Sequence, residues 1–288
     1  MFTAIVSIII IFLRYFDVNV ALLSSIRLPD TRLSVSELLM QIALLGIAIG
    51  ANALSALAGG GAGLVQLPAL ILLGLPFSMA LATHKVASVA LGLGASGRHW
   101  RASSLDLKRS ALVLAAGLPG VFVGASMVLA LPDQVATASL GLLTLGLGVY
   151  SARKPDLGTT DQPYPLTART VGLGSCGLFI IGVLNGSLTS GTGLFVTLWL
   201  VRWFGLSYAR AVAHTLVLVG LGWNGTGALV LGLSGEIRWD WLPPLVLGSL
   251  IGGFLGAHYS LVKGSRLVKQ AFEILALLMG GSLLIRSL

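Results

Sequence analysis

The chain has 288 residues, of which 56% are hydrophobic and only 10% are charged, and its mean hydropathy is +0.94. These values lie far outside the range of soluble globular domains and exclude an ordinary soluble protein. The net charge of +8 does not indicate nucleic-acid binding, because the basic residues lie in short gaps between apolar runs and form no patch. The class that remains is a multi-pass α-helical membrane protein.

The first segment, residues 1–36, contains a short apolar core followed by Arg14 and Asp17. It lacks both a positively charged start and a cleavage site, so we do not expect a cleaved signal peptide. The segment is either an extra span or an interfacial helix. A series of apolar segments follows, and most reach the roughly 20 residues that a bilayer crossing needs. They cover about residues 37–58, 62–74, 78–98, 109–131, 134–152, 169–189, 192–204, 207–232, 241–262 and 266–286.

Two of these segments, 62–74 and 192–204, are too short to span a bilayer, and each follows a glycine-rich turn. We interpret them as the second halves of broken helices. Residues 153–168 are polar, contain prolines and form a natural linker. The chain therefore divides into a first repeat over 37–152 and a second repeat over 169–288.

The two halves contain a duplicated pattern, at 59–97 and at 190–227. Each copy has a glycine loop, a short apolar run, a small turn and a long apolar helix with a histidine near its start. When the copies are aligned, Gly61 and Gly63 fall on Gly191 and Gly193, and His84 falls on His214. Hydrophobic segments interrupted by glycine at matching places in two halves are typical of the binding site of a secondary transporter.

Two weaker features also relate the halves. The sequence GLPGVFVGAS at 117–126 resembles GSLIGGFLGA at 248–257, and glycines four residues apart predict close helix packing. Basic residues concentrate in the loop at 98–109 of the first half, whereas in the second half they concentrate near 263–269. The end of the half that carries the basic residues is thus reversed between the two halves. We expect inverted repeats, with the 98–109 loop in the cytoplasm.

The glycine loops are the first candidate for a binding site. The amides that begin a helix carry partial positive charge and suit an anion. The alternative is that these glycines only allow two helices to cross closely. The candidate substrate-binding residues are Gly59, Gly60, Gly61, Gly63, Thr83, His84, Lys85, Asn185, Ser187, Ser190, Gly191, Thr192, Gly193, His214, Thr215 and Asn224.

Lys85 is the most unusual of these residues, because it lies about two turns, roughly 10 Å, into its apolar segment. A cation at that depth is costly unless it pairs with an anion or faces a cavity. Glu273 is the one carboxylate within a span that could pair with it. Either a bound anion supplies the negative charge or the lysine snorkels to the interface. His84 and His214, at equivalent positions, could donate to an anion or carry a proton.

An enzymatic function has weak support. Residues 232–235 match the GxSG pattern of intramembrane serine proteases, with His258 as a conceivable base, but Ser234 lies at a loop edge. The phosphate-loop pattern is absent, and no cysteine pair or acidic cluster offers a metal site. The single cysteine, Cys176, allows no intrachain disulfide. We expect no enzyme activity, no cofactor, no metal ion and no nucleic-acid partner.

The first copy resembles the sulfite exporter TauE/SafE family of membrane transporters. The residues that carry the resemblance are Gly59 to Gly63, Pro68, Leu70, Gly74 to Pro76, Ala82 and Thr83. The second copy departs from the family pattern at Leu198, where a proline is expected. The resemblance extends over about residues 37–286. It implies transport of small anionic sulfur or carbon compounds such as sulfite, sulfonates or thiosulfate.

The chain is accordingly expected to be an all-α polytopic membrane protein that acts as a secondary transporter of a small anion. Its expected place is the bacterial inner membrane, with the lipid bilayer around it; assembly into a homo-oligomer stays open. A negative cell interior drives an anion outward by ~2.3 kcal/mol per charge per 100 mV, which favours export. A proton- or sodium-coupled importer is the alternative, and an intramembrane enzyme is the less favoured one.

Overall fold

The structure, a computed structural model, describes residues 34–60, 62–101, 105–127, 133–188, 191–234 and 237–287. The N-terminal segment 1–36, expected to be an extra span or an interfacial helix, falls almost entirely outside them. Residues Leu44–Leu288 form one compact unit, and the contacts discussed below lie within it. Throughout the described ranges the regular structure is helical. The expectation of an all-α polytopic fold is confirmed.

The helices agree with the apolar segments to within a few residues, apart from the end of the fourth segment. In chain order they are α1 (Val35–Ala58), α2 (Ala62–Leu72), α3 (Phe77–Arg101), α4 (Leu107–Ser126), α5 (Asp133–Ala152), α6 (Ala168–Ser187), α7 (Thr192–Phe204), α8 (Tyr208–His214), α9 (Asn224–Ser234) and α10 (Leu242–Ser287). A π-helical segment, Thr215–Trp223, joins α8 to α9. Gly264, with φ of 77°, divides α10 into limbs 242–263 and 265–287.

Within the part of the chain that the structure describes, five segments are long and apolar enough to cross a membrane. They are Val35–Ala58, Leu107–Ser126, Ala168–Ser187, Tyr208–Leu233 and Trp239–Ile285. Their outer surfaces carry exposed large apolar side chains such as Phe122, Ile180 and Phe254. In water such surfaces would be costly, whereas lipid solvates them.

Each short helix turns back along the helix before it. In the first half, the Ser55 hydroxyl accepts the Ala62 N–H at 3.0 Å, and Asn52 Nδ2 donates to Gln66 Oε1 at 2.9 Å. Residue numbers fall along α1 as they rise along α2, so the two helices are antiparallel. Gly59 and Gly60, with φ of 90° and 121°, make the reversal, because other residues are strained in that conformation.

The second half repeats this hairpin. Asn185 Nδ2 donates to Thr192 Oγ1 at 2.8 Å, and Trp203 Nε1 donates to the Thr170 carbonyl at 3.0 Å. Gly191, with φ of 73°, marks the reversal. The glycine breaks lie where the sequence indicates. The second segment of each broken helix, however, returns beside the first and does not continue its direction.

The two long helices that follow the hairpins cross closely through glycines. A Cβ on Gly92 of α3 would lie 2.8 Å from the carbonyl carbon of Gly220, and one on Gly227 would lie 3.1 Å from the Lys85 side chain. The helix α3 is therefore antiparallel to its counterpart in the second half. Antiparallel packing of equivalent helices is the relation that inverted repeats produce.

Glycines four residues apart also pack helices of one half against helices of the other. Cβ atoms added to Gly120 and Gly124 of α4 would lie 2.2 and 2.0 Å from the carbonyl oxygens of Phe179 and Val183 in α6. The matching glycines of α10 have the same role, because Cβ atoms on Gly252 and Gly256 would meet backbone of α1. The predicted close packing is confirmed. The halves are interleaved, so the site can be built from both.

Candidate functional site

A small cavity lies between the two halves, beside both hairpin turns. About 30 Å³ of it is open to the centre of a water-sized sphere, which is room for about two water molecules. The first half contributes Ser55, Gly60, Ala62, Gly63, His84, Ser88 and Leu91, and the second half contributes Asn185, Thr192, Gly193, Thr215, Leu216, Val219, Gly220 and Asn224. Many of the candidate residues are thereby brought together around one space.

Lys85 lies directly behind this lining and is fully buried. Its Nζ donates to three oxygens, the Asn185 carbonyl at 2.8 Å, Asn185 Oδ1 at 2.7 Å and Asn224 Oδ1 at 3.2 Å. An ammonium has three N–H donors, and each oxygen takes one, so the geometry matches the charged form. Complete burial excludes snorkelling to the interface.

No carboxylate neutralises Lys85 within the described part of the chain. Glu273, the one span carboxylate that could have paired with it, pairs instead with Lys269 on its own helix and also accepts from the Ser151 hydroxyl at 2.9 Å. Glu273 is therefore not the partner of Lys85. A buried cation held by neutral oxygens alone is costly, and a negative ligand nearby would lower that cost.

Lys85 also determines which way its asparagines face. Because a lysine only donates, both side-chain oxygens must point toward it, and both NH₂ groups point elsewhere. The Asn185 NH₂ donates to Thr192 Oγ1. The Asn224 NH₂ meets no acceptor among the described residues. Both asparagines line the cavity, so the lysine fixes the orientation of two amides in its lining.

The N-termini of the two short helices face the same space. Ala62 and Gly63 begin α2, Thr192 and Gly193 begin α7, and all four line the cavity. The two turns touch, since a Cβ on Gly60 would lie 2.5 Å from the Gly193 Cα. Each helix N-terminus carries about half a positive charge. The cavity is therefore positively polarised from two sides.

The two histidines do not meet. His84 lines the cavity, its Nε2 lies 3.1 Å from the Ser88 hydroxyl, and its buried Nδ1 has no partner in the described part of the protein. His214 lies away from the lining: its Nε2 accepts the Asp106 N–H at 2.9 Å, and its Nδ1 donates to the Arg210 carbonyl at 2.8 Å. The two histidines therefore do not share one site, because α3 and its counterpart run antiparallel and the starts of these two helices lie toward opposite ends.

The other candidate residues support the site without lining it. Thr83 Oγ1 accepts the Arg238 N–H at 3.0 Å, and the Ser187 hydroxyl donates to Val183 in its own helix at 2.9 Å. Gly59 and Gly191 make the chain reversals. Two further candidates, Gly61 and Ser190, lie outside the described residues.

Two polar lining residues, Ser55 and Ser88, do not belong to the candidate set. Ser55 could have been found, because it precedes Gly61 by the same six positions by which Asn185 precedes Gly191. Both residues also bond the start of the following short helix. The serine-protease alternative has no geometric support, since His258 bonds Arg98 near the end of α3 whereas Ser234 ends α9.

Comparison with known proteins agrees with this architecture. The model of the family described as sulfite exporter TauE/SafE matches residues 42–283. A probable membrane transporter protein of Haemophilus influenzae is 30% identical over 229 residues, which are 80% of this chain and 88% of that protein. The probable membrane transporter protein YfcA of Escherichia coli (strain K12) is 29% identical over 257 residues, with coverage of 87% and 91%. No solved structure matches the chain.

The match covers both hairpins, the cavity and the helices that pack around them. The similar proteins carry transporter names, and the apolar helices fit a multi-pass protein of the membrane. The chain is an integral membrane transporter that belongs to the sulfite exporter TauE/SafE family.

Proposed function

We propose that this protein exports a small anion, a sulfite or a short sulfonate, which binds in the cavity between the two halves. The observation that carries the proposal is the buried Lys85 ammonium, held by three neutral oxygens and no carboxylate of the described chain. A bound anion would supply the missing negative charge. In a low-dielectric interior that attraction is much stronger than in water.

The shape and polarity of the cavity limit the size of the ligand. The lining includes the polar residues His84, Thr192 and Asn224 and the apolar residues Leu216 and Val219. The open volume of about 30 Å³ leaves no room for a nucleotide or a sugar phosphate. A compact oxyanion fits this space, and the apolar residues accommodate a short carbon chain after small movements.

The distribution of basic residues supports an orientation. The end of the molecule that contains Tyr164, His214 and Gly264 is called the linker end, and the end that contains Thr83 and Arg238 is called the opposite end. Lysines and arginines concentrate at the linker end, at positions 98, 101, 108, 109, 153, 154, 169, 202, 210, 263, 266 and 269, whereas positions 238 and 286 lie at the opposite end. The positive-inside rule then puts the linker end in the cytoplasm.

This orientation supports export across a bacterial inner membrane. The interior of the cell is negative, so a bound anion moves outward down the electrical gradient without a coupling ion. An importer would need energy from protons or sodium to move the same anion inward. The two directions can therefore be separated by imposing each gradient alone.

The test is efflux of labelled sulfite or a labelled short sulfonate from proteoliposomes with an imposed potential. Asn224→Asp keeps the side-chain shape but gives Lys85 an internal counter-ion, so we expect at least a tenfold loss of flux with a thermal stability no lower than that of the wild type. The matched control is Lys263→Met, an exposed lysine at the linker end, which should keep wild-type flux. Wild-type flux in Asn224→Asp would refute the anion site. Accumulation that requires a proton or sodium gradient would instead establish the importer.

A further inference from the structure

Two hydrogen bonds each join a crossing helix of one half to a loop of the other half, through a residue next to the cavity lining: Thr83 beside His84, and His214 beside Thr215. At the opposite end, the Arg238 N–H donates to Thr83 Oγ1 of α3 at 3.0 Å. At the linker end, the Asp106 N–H donates to His214 Nε2 of α8 at 2.9 Å. Thr83 and His214 are both fully buried.

These two bonds occupy equivalent places in the duplicated chain. His214 aligns with His84, which directly follows Thr83, and the Asp106 and Arg238 amides each precede a helix that follows a long crossing helix. Each acceptor lies about two turns into a crossing helix whose later turns line the cavity, through Leu91 in α3 and Val219 after α8. Each bond therefore fixes a cavity-lining helix to a loop at one membrane face.

The donors are held rigidly on their own side. The Asp106 carboxylate accepts the Lys108 and Arg109 N–H groups and pairs with the Arg109 guanidinium at 2.6 Å, and Arg109 also donates to the Tyr164 carbonyl at 2.6 Å. At the opposite end, the Arg238 side chain pairs with Asp240 at 2.8 Å and lies 5.6 Å from the centre of the Trp241 ring. A rigid donor makes the bond depend on the acceptor.

We propose that these bonds are the two gates of the transport cycle, the threonine gate (Thr83 with Arg238) and the histidine gate (His214 with Asp106), and that acid opens the histidine gate. This inference rests on the proposed function only in taking the cavity as the transport site. With both bonds formed, the cavity is shut at both ends. Opening one bond frees α3 or α8 at one face while the other face stays closed.

The chemistry of the two acceptors differs, and this difference makes one gate sensitive to protons. A neutral histidine with its proton on Nδ1 donates to the Arg210 carbonyl and accepts at Nε2, as observed. A second proton would occupy Nε2 and put two N–H groups face to face, so the bond to Asp106 would break. A threonine hydroxyl has no titration in the physiological range, so the threonine gate is insensitive to pH.

The surroundings of His214 allow this change. The charged and titratable groups that face it are Asp106 at the start of α4, His99 of α3 and Arg210 of its own helix. Arg210 is already paired with Asp161, and the Asp106 carboxylate is already paired with Arg109. The neutral His214 ring accepts the Asp106 N–H, whereas an imidazolium would point a second N–H at that same donor.

The test measures entry into the cavity and needs no substrate. Leu91→Cys, in a Cys176→Ser background, places the reporter thiol in the cavity lining, and a membrane-impermeant thiol reagent is applied to either face of sealed vesicles. Asp156→Cys, in the exposed linker, corrects for the intrinsic pH dependence of thiol labelling. The corrected rate from the linker end should rise at least threefold between pH 8 and pH 6.

Two variants separate the gates. His214→Gln keeps an acceptor for the Asp106 N–H but cannot titrate, so labelling from the linker end should become independent of pH. Thr83→Val should raise labelling from the opposite end at least threefold at every pH and leave the acid response of the linker end intact. A corrected wild-type rate that is flat or falls with acid overturns the proposal, and so does an acid response that persists in His214→Gln. Loss of anion flux with normal labelling would reject the proposed substrate and not the gates.

Discussion

Substituting alanine for Gly92 tests whether the crossing between the halves shapes the cavity. The added Cβ would lie 2.8 Å from the Gly220 carbonyl carbon and from the Leu221 nitrogen, whereas ordinary contact begins at 3.4 Å. Both obstacles are backbone atoms and cannot rotate away. The helices must therefore separate by about 0.6 Å, and a forced expansion of a packed interior costs about 1–3 kcal/mol.

The same helix provides a matched control. Gly97 of α3 is exposed, and a Cβ added there meets nothing within 4 Å. Both substitutions gain up to about 1 kcal/mol of helix propensity, so this gain cancels when the variants are compared. We expect Gly92→Ala to be less stable than Gly97→Ala by about 1–3 kcal/mol.

The loss should appear in function as well as in stability. Leu91 and Gly220, the neighbours of the crossing, line the cavity, so a shift of about 0.6 Å changes its shape. Thermal unfolding in detergent and flux per folded molecule in proteoliposomes measure the two effects. We expect a lower melting temperature and a several-fold lower flux for Gly92→Ala than for Gly97→Ala. Equal melting temperatures and equal flux would refute the idea that this crossing is packed as described.

Two other predictions concern the orientation of the chain and the pH dependence of its stability. Impermeant thiol reagents should label Asp156→Cys and Gly264→Cys from the cytoplasm and Arg238→Cys from outside, and reversed labelling would refute the orientation. Partial burial raises the pKa of the Asp161 carboxyl, but the Ser207 N–H at 2.8 Å and the paired Arg210 outweigh it, so the net pKa lies below the usual 3.8. A lowered pKa in the folded state stabilises the protein above about pH 4, and this contribution disappears as the pH falls below that value. Asp161→Asn should therefore lower the melting temperature more at pH 7 than at pH 3, and an equal loss at both values would contradict this.

Much of the architecture could be predicted from sequence because membrane helices are encoded locally. A run of about 20 apolar residues must form a helix in lipid, since no other spanning structure satisfies its backbone within one segment. The boundaries of α3, α6 and α7 accordingly lie within a few residues of the predicted segments. The hairpin turns could be located for the same reason, since Gly59 and Gly191 break otherwise apolar runs.

The candidate site could be predicted in part. Lys85 stands out in an apolar run, and Asn185 and Asn224 stand out as buried polar groups that need partners. The sequence did not indicate that these three residues bond to one another, because they are 100 and 139 positions apart. It left Glu273 as the one carboxylate within a span that could pair with the lysine, whereas the helical spacing of four residues pairs Glu273 with Lys269.

The sequence by itself determined which residues are helical, where the helices break and which polar residues lie in the apolar interior. These properties depend on a residue and its near neighbours. Only the tertiary structure decided that α2 and α7 turn back, that Lys85 is held by two asparagines and that His84 and His214 lie apart. The physical reason is the relation between the halves: equivalent residues share a sequence pattern, but the inversion that packs α3 antiparallel to its counterpart sends them toward opposite faces of the membrane.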